Sequence, residues 1–211
     1  MDKSFQITKI TADDTLYPVK LRNYLSNQVS HAISVLGNLK ILKEKKLAFF
    51  CSVKCPGHLI LKAYDLTHRL KEEGITVISG FHSPIERECL RILLRGTQPI
   101  IICPARSLIE MRLREEYKKP MEKGRLLLLS PFKESQKRNT VETAYERNRF
   151  VAALADGVFV AHGAPKSKTE DFCREVLSWG KKVYTFESDS NRNLINLGIM
   201  AVIDMNISKG F

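Results

Sequence analysis

No run of Leu, Ile and Val in this 211-residue sequence exceeds four residues, Leu126 to Leu129. A membrane-crossing helix needs roughly 20, so no membrane segment is expected. The start of the chain, Met1, Asp2 and Lys3 with Asp13 and Asp14 further on, lacks the basic, apolar and small-residue succession of a secretory signal. Cysteine is sparse. Cys51, Cys55, Cys89, Cys103 and Cys173 stand at scattered spacings, with no C-x-x-C pair and no cysteine–histidine cluster of zinc spacing. An odd set of this kind excludes a disulfide framework and predicts reduced thiols in a cytoplasm, with no metal and no other cofactor. Glycine-serine linkers, low-complexity tracts and internal repeats are also missing, which excludes repeat architectures and leaves no internal linker.

Catalytic signatures are equally scarce. The sequence contains no G-x-S-x-G elbow, no Walker A run and no H-E-x-x-H. Its histidines, His31, His58, His68, His82 and His162, are spread along the chain, and only His82 and His162 are placed to approach one another at one sheet edge. Cys51 lies close to a helix start, yet it reads as a small buried side chain. A non-enzymatic protein is expected.

Positive charge is what the chain has in excess. Lysine and arginine number 34 against 23 acidic residues, a formal net charge of +11, which favours polyanionic partners through steering and counterion release. Between Arg112 and Arg149 eleven basic residues face six acidic ones. Apolar residues at 44% are enough for an ordinary packed core.

From residue 47 onward, short runs rich in Val, Ile, Leu and Phe alternate with segments of helical period, the pattern of successive βαβ units. Strands are predicted at Leu47 to Val53, Ile75 to Ser79, Pro99 to Cys103, Leu126 to Ser130, Gly157 to Ala161, Lys182 to Glu187 and Met200 to Asp204. Continuous runs such as Ile100-Ile101-Ile102 suit a parallel sheet with helices on both faces. Helices are predicted at His58 to Glu73, Ser83 to Arg95, Arg106 to Tyr117, Thr140 to Ala155, Ser167 to Gly180 and Asn191 to Leu197. The fold class is α/β, a doubly wound and mostly parallel sheet. Residues 1–46, with a turn and short helix at Tyr17 to Tyr24 and a turn at Gly37-Asn38-Leu39, are expected as a lead-in packing on the domain formed by 47–211. Ser83-Pro84-Ile85-Glu86 reads as a capping box, Ser167 with Glu170 repeats it, and Gly74 and Gly180 suit helix ends.

Ligands of such sheets bind beyond the carboxyl ends of the strands, where helix N-termini offer unpaired N–H groups. Three loops lie there. The first, Cys51 to Gly57, offers Ser52 and Lys54 to a phosphate. In the second, Gly80 permits close backbone approach, and Phe81 or His82 could stack on a base. The third runs from Ala161 through Lys166, Ser167, Lys168 and Thr169, with two lysines and two hydroxyls around a helix N-terminus. Ordinary turn and capping chemistry is the alternative for each loop. On the helix before it, Arg147 shares a face with Val151 and Leu154, beside Asn148; a guanidinium there needs either an acidic partner or a ligand phosphate.

The order of these motifs resembles the DNA-processing protein A family (DprA, or Smf), whose core is an extended Rossmann fold. Tyr17-Pro18 with Leu21 and Gly37-Asn38-Leu39 are similar to the family's lead-in, and Leu47 to Lys54 to its strand ending in Gly-Ser-Arg, with Cys51 and Val53 in place of the glycine and arginine. Ser79-Gly80 resembles the start of the second family loop. Arg147-Asn148-Arg149-Phe150-Val151-Ala152-Ala153-Leu154 resembles the Arg-Asn-Arg helix, Pro165 to Thr169 the Lys-Ser-Gly-Ser/Thr loop, and Asn193-Leu194-Ile195 with Gly198 the closing segment. The resemblance implies single-stranded DNA binding at the basic carboxyl edge, a homodimer, and a RecA-type recombinase as partner in transformation and recombination. It also implies a core without the winged-helix module of many members. Two other readings stay open, a small-nucleotide sensor of the related Rossmann superfamily and a partner-binding scaffold. The Pro-Gly-Gly-x-Gly-Thr-x-x-Glu loop of phosphoribohydrolases is missing from His162 to Asp171, so nucleotide cleavage is not expected.

Overall fold

Four short runs, 46–50, 76–79, 100–102 and 126–130, are buried along their whole length, as parallel strands covered on both faces must be. The computed structural model describes residues 6–25 and 32–203. Its first part contains β1 (Thr8–Thr11), α1 (Lys20–Leu25), β2 (Ala32–Gly37), β3 (Lys46–Phe50), α2 (Gly57–Glu72) and β4 (Thr76–Ser79). Then come α3 (Pro84–Leu94), β5 (Ile100–Ile102), α4 (Glu115–Glu122), β6 (Leu126–Ser130) and α5 (Val141–Leu154). The chain continues through β7 (Gly157–Val160), α6 (Lys168–Ser178), β8 (Val183–Phe186), α7 (Arg192–Asn196) and β9 (Met200–Val202).

All described strands join one sheet in the order β1-β2-β6-β5-β4-β3-β7-β8-β9. Pairing is antiparallel for β1 with β2 and for β2 with β6, and parallel from β6 to β9. Successive side chains of a strand point to opposite faces, and β3 shows the consequence. Ala48 and Phe50 join a core with Val151 of α5 and Phe172 of α6. Leu47 and Phe49 join the other core, with Leu59 and Leu66 of α2 and Leu90 of α3. From β3 the chain winds outward to β4, β5 and β6, and from β7 it winds the other way. The β3–β7 junction is therefore the switch point at which doubly wound sheets hold ligands.

The seven predicted strands are present, one with the predicted bounds and the others with ends shifted by up to three residues; Asp204, the predicted end of the last, lies outside the described residues. Two further strands, β1 and β2, come from the expected lead-in, where the sequence predicts none. The helix predicted at Arg106 to Tyr117 is displaced and runs instead over Glu115–Glu122. Residues 103–114 form a loop because the Ser107 hydroxyl accepts the Ile109 N–H (3.1 Å), the Ser107 N–H is donated to the Gln136 carbonyl (2.7 Å), and Glu110 turns the chain at φ 58°. The helix starts only at Glu115 and Glu116, two carboxylates that suit the positive end of its dipole. The Ser83 capping box forms as predicted.

Candidate functional site

Because β4, β3 and β7 are neighbours, the loops that follow them meet at one edge of the sheet. They are braced together. The Ser52 and Thr169 hydroxyls lie 2.8 Å apart, and the Ser52 N–H is donated to the His162 carbonyl at 3.1 Å. Glu86, buried at the start of α3, accepts the N–H groups of His82 (2.8 Å), Ser83 (3.2 Å) and Cys51 (3.0 Å). One carboxylate thus fixes the second loop and ties it to the end of β3.

The amino end of α6 forms the middle of this edge. The Ser167 hydroxyl accepts the Glu170 N–H at 3.3 Å, and the Glu170 carboxylate turns back to the Lys166 N–H while also pairing with Arg174 at 3.0 Å. The N–H groups of Lys168 and Thr169 make no hydrogen bond among the described residues. Lys54, Lys166 and Lys168 are exposed, and no described carboxylate lies within ion-pair distance of any of them. Beside them a cleft of about 210 Å³ opens between α5 and α6, bordered by Cys51, Glu86, Asn148, Lys168 and Thr169. Ser52, Asn148, Ser167, Lys168 and Thr169 are therefore brought together, with Lys166 next to Ser167 in the chain and Lys54 exposed two residues beyond Ser52.

The second loop differs from expectation. Phe81 sits at φ 48° with its ring 5% exposed inside the core, so it offers no face for stacking. Arg147 is 4% exposed, and it bonds neither an acidic side chain nor open rim. Its Nη1 donates to the Cys103 carbonyl at 3.0 Å and its Nε to the Asn148 Oδ1 at 2.8 Å. Burial lowers its pKa from the usual arginine value, an effect that the nearby Glu86 charge opposes. Gly80 is covered by the Arg147 guanidinium. The His82 side chain remains exposed. His162 is buried, with Nδ1 on the Asn191 Oδ1 at 2.9 Å, and is not available to pair with His82; His31 lies outside the described residues. Cys51 is buried as expected, and its hydrogen bond to Cys55 followed by burial pushes the thiol pKa up.

The sequence did not point to a second cavity, of about 380 Å³, between the second loop and the loop after β5. Arg87, Arg106, Arg112, Arg114 and Arg147 border it, together with Gly80, Phe81 and His82. A helix over 106–117 would scatter Arg106, Arg112 and Arg114 around a cylinder. Pro104, two residues past the end of β5, with the alternating pair Arg112 and Arg114, is the available sign of a loop. Among the described residues, no cluster of His, Cys, Asp or Glu could hold a metal, and no helix is long and apolar enough to cross a membrane.

Comparison with known proteins places this geometry among relatives. The family model described as DNA recombination-mediator protein A matches residues 8–206. The crystal structure of DNA processing protein A from Streptococcus pneumoniae is 20% identical with a TM-score of 0.80, covering 99% of this chain and 75% of that one. DNA processing protein A from Helicobacter pylori, whose structure was described for its single-stranded DNA binding mode, is 18% identical with a TM-score of 0.75, covering 99% of this chain and 96% of its own. A molybdenum cofactor binding protein from Rippkaea orientalis is 12% identical with a TM-score of 0.55, covering 79% and 93%. At such identities the solved structures share the fold. No curated protein sequence matches.

Proposed function

The chain belongs to the DNA recombination-mediator protein A family, and from that premise we propose that it binds single-stranded DNA at the switch-point edge without catalysing a reaction on it. The observation that carries this reading is a set of exposed lysines that no described carboxylate approaches within ion-pair distance, Lys166 and Lys168 beside the free N–H groups of Lys168 and Thr169 and Lys54 on the neighbouring loop. Backbone amides at a helix N-terminus, aided by the helix dipole, receive phosphate oxygens. The lysines supply long-range attraction and release counterions from the strand. Ser52, Asn148, Ser167 and Thr169 add neutral donors around the same cleft. With Phe81 buried, His82 is the ring of the second loop left to stack on a base. The Helicobacter pylori relative, described as binding single-stranded DNA, supports the same assignment.

Binding of this kind reads the backbone, so sequence preference is low. A homodimer, a RecA-type recombinase as partner and a cytoplasmic role in DNA uptake and recombination belong to the same proposal. The test is fluorescence anisotropy with a labelled oligothymidine at several salt concentrations. Affinity falls steeply as salt rises if the lysine rim holds the strand; salt-independent binding, or none, removes the proposal.

A further inference from the structure

The second cavity is built differently from the lysine rim. Its five arginines come from two helices and a loop: Arg87 on α3, Arg147 on α5, and Arg106, Arg112 and Arg114 on the loop after β5. No aspartate or glutamate borders it. Two carboxylates act on the five from outside the cavity: Glu116 pairs with the exposed Arg114 at 3.4 Å, and the Glu86 charge lies near Arg147 without bonding it. The arginines' other hydrogen bonds are to neutral groups. Arg87 Nε donates to the His82 carbonyl at 3.0 Å, Arg106 Nε to the Ser107 carbonyl at 3.3 Å, and Arg147 to the Cys103 carbonyl and the Asn148 amide oxygen. Carbonyls orient a guanidinium without cancelling its charge. Arg112 makes no hydrogen bond or ion pair among the described residues.

Arg147 separates this arrangement from a basic surface. The residue is almost fully buried, while its Nη2, which has no hydrogen-bond partner among the described residues, is not sealed from solvent, and this is the cavity the residue borders. Glu86 offsets part of that burial but does not bond the group, and a desolvated guanidinium with no bonded carboxylate is costly to keep. An anion in the cavity would relieve that cost.

Size and charge then select among anions. A volume of about 380 Å³ is that of a sphere roughly 9 Å across. An extended strand crossing it brings about one or two singly charged phosphates, against five cations. A di- or triphosphate concentrates several negative charges on adjacent phosphorus atoms, and arginine forks match phosphate oxygens two at a time. We propose that the cavity is a second anion site, separate from the lysine rim, that takes a compact polyphosphate group of the kind carried by nucleoside di- and triphosphates.

The test titrates the full chain with inorganic tripolyphosphate, ADP and AMP by calorimetry and thermal shift, and in parallel with labelled oligothymidine. Tripolyphosphate and ADP are expected to bind and to raise the Tm, with AMP at least tenfold weaker. Arg112→Glu, at an exposed position, weakens tripolyphosphate and ADP tenfold or more and leaves oligothymidine affinity within about threefold; Lys166→Glu does the reverse. Arg106→Gln reports on the inner wall, and its melting curve shows whether it folds. If neither polyphosphate binds, if AMP binds as tightly as ADP, or if Arg112→Glu and Arg106→Gln both bind like the parent, the proposal is overturned. It is also overturned if Arg112→Glu costs oligothymidine affinity as much as polyphosphate affinity, since the cavity would then be part of the strand's path. Loss of oligothymidine binding alone, with polyphosphate binding intact, supports this site and sinks only the single-strand reading.

Discussion

The guanidinium of Arg147 occupies the space that a β-carbon on Gly80 would need, its Nη1 lying 1.1 Å from that ideal position. Two residues far apart in sequence are thus one device. The glycine leaves room for the arginine against the second loop, and the arginine donates to the Cys103 carbonyl just past β5.

Gly80→Ala therefore displaces the guanidinium and costs about 2 to 4 kcal/mol, the sum of overpacking and of hydrogen bonds lost by a buried cation. Urea denaturation measures it. In an Arg147→Met background the same alanine should cost under about 1 kcal/mol, because the obstacle is gone. Equal costs in the two backgrounds would show that the glycine is needed for some other reason.

Glu86→Gln tests the brace between loops. The carboxylate accepts three N–H groups, and no amide can do that with both of its terminal atoms, since its nitrogen would face donors. A loss of about 2 to 3 kcal/mol is expected, together with faster amide exchange at Cys51 and His82. A change below about 0.5 kcal/mol, with exchange unaltered, would mean that the three bonds are not maintained in solution.

Salt dependence tests the lysine rim residue by residue. For single strands the slope of log affinity against log salt falls by about 0.7 for each phosphate contact removed. Lys54→Ala and Lys168→Ala should each lower the slope by about that amount, whereas Lys71→Ala, in the last turn of α2, should leave it unchanged. Identical slopes for all three variants would place the strand elsewhere.

The sequence carried what is local. Ile100-Ile101-Ile102 reads as a buried parallel strand because both its faces are covered, and Ser83 with Glu86 reads as a cap because the motif closes within one turn. What depends on distant partners was illegible. β2 earns its place by pairing with β6, far along the chain. The 106–117 segment has helix-like apolar spacing, but Leu108 is buried in the core from a loop and Ser107 is bonded to Gln136. The face of Arg147 was readable from Val151 and Leu154, while its acceptor, the Cys103 carbonyl, was not. Phe81 shows the limit most plainly: one left-handed residue turns a ring expected outside into the core.

Alkaline stability follows from the buried thiols. Burial pushes Cys89, Cys103 and Cys173 each up to about 12 from an ordinary value of 9.0. Between those pH values the unfolded chain has released protons that the folded chain keeps, so stability falls as pH rises, by up to about 1.4 kcal/mol per pH unit for each thiol. Lys181 acts in the opposite sense. Burial lowers it from 10.5 to about 8, so over that interval the unfolded chain holds the extra proton and stability rises with pH. Three thiols outweigh one half-buried lysine, and urea midpoints should hold nearly level to pH 9 and then drop between pH 9 and 10. Cys173→Ala should be weaker at pH 8, through the cavity it leaves, yet lose stability less steeply above pH 9. If its slope equals that of the parent, the alkaline loss does not come from this thiol, and the tyrosines whose hydroxyls are raised by burial become the next groups to titrate.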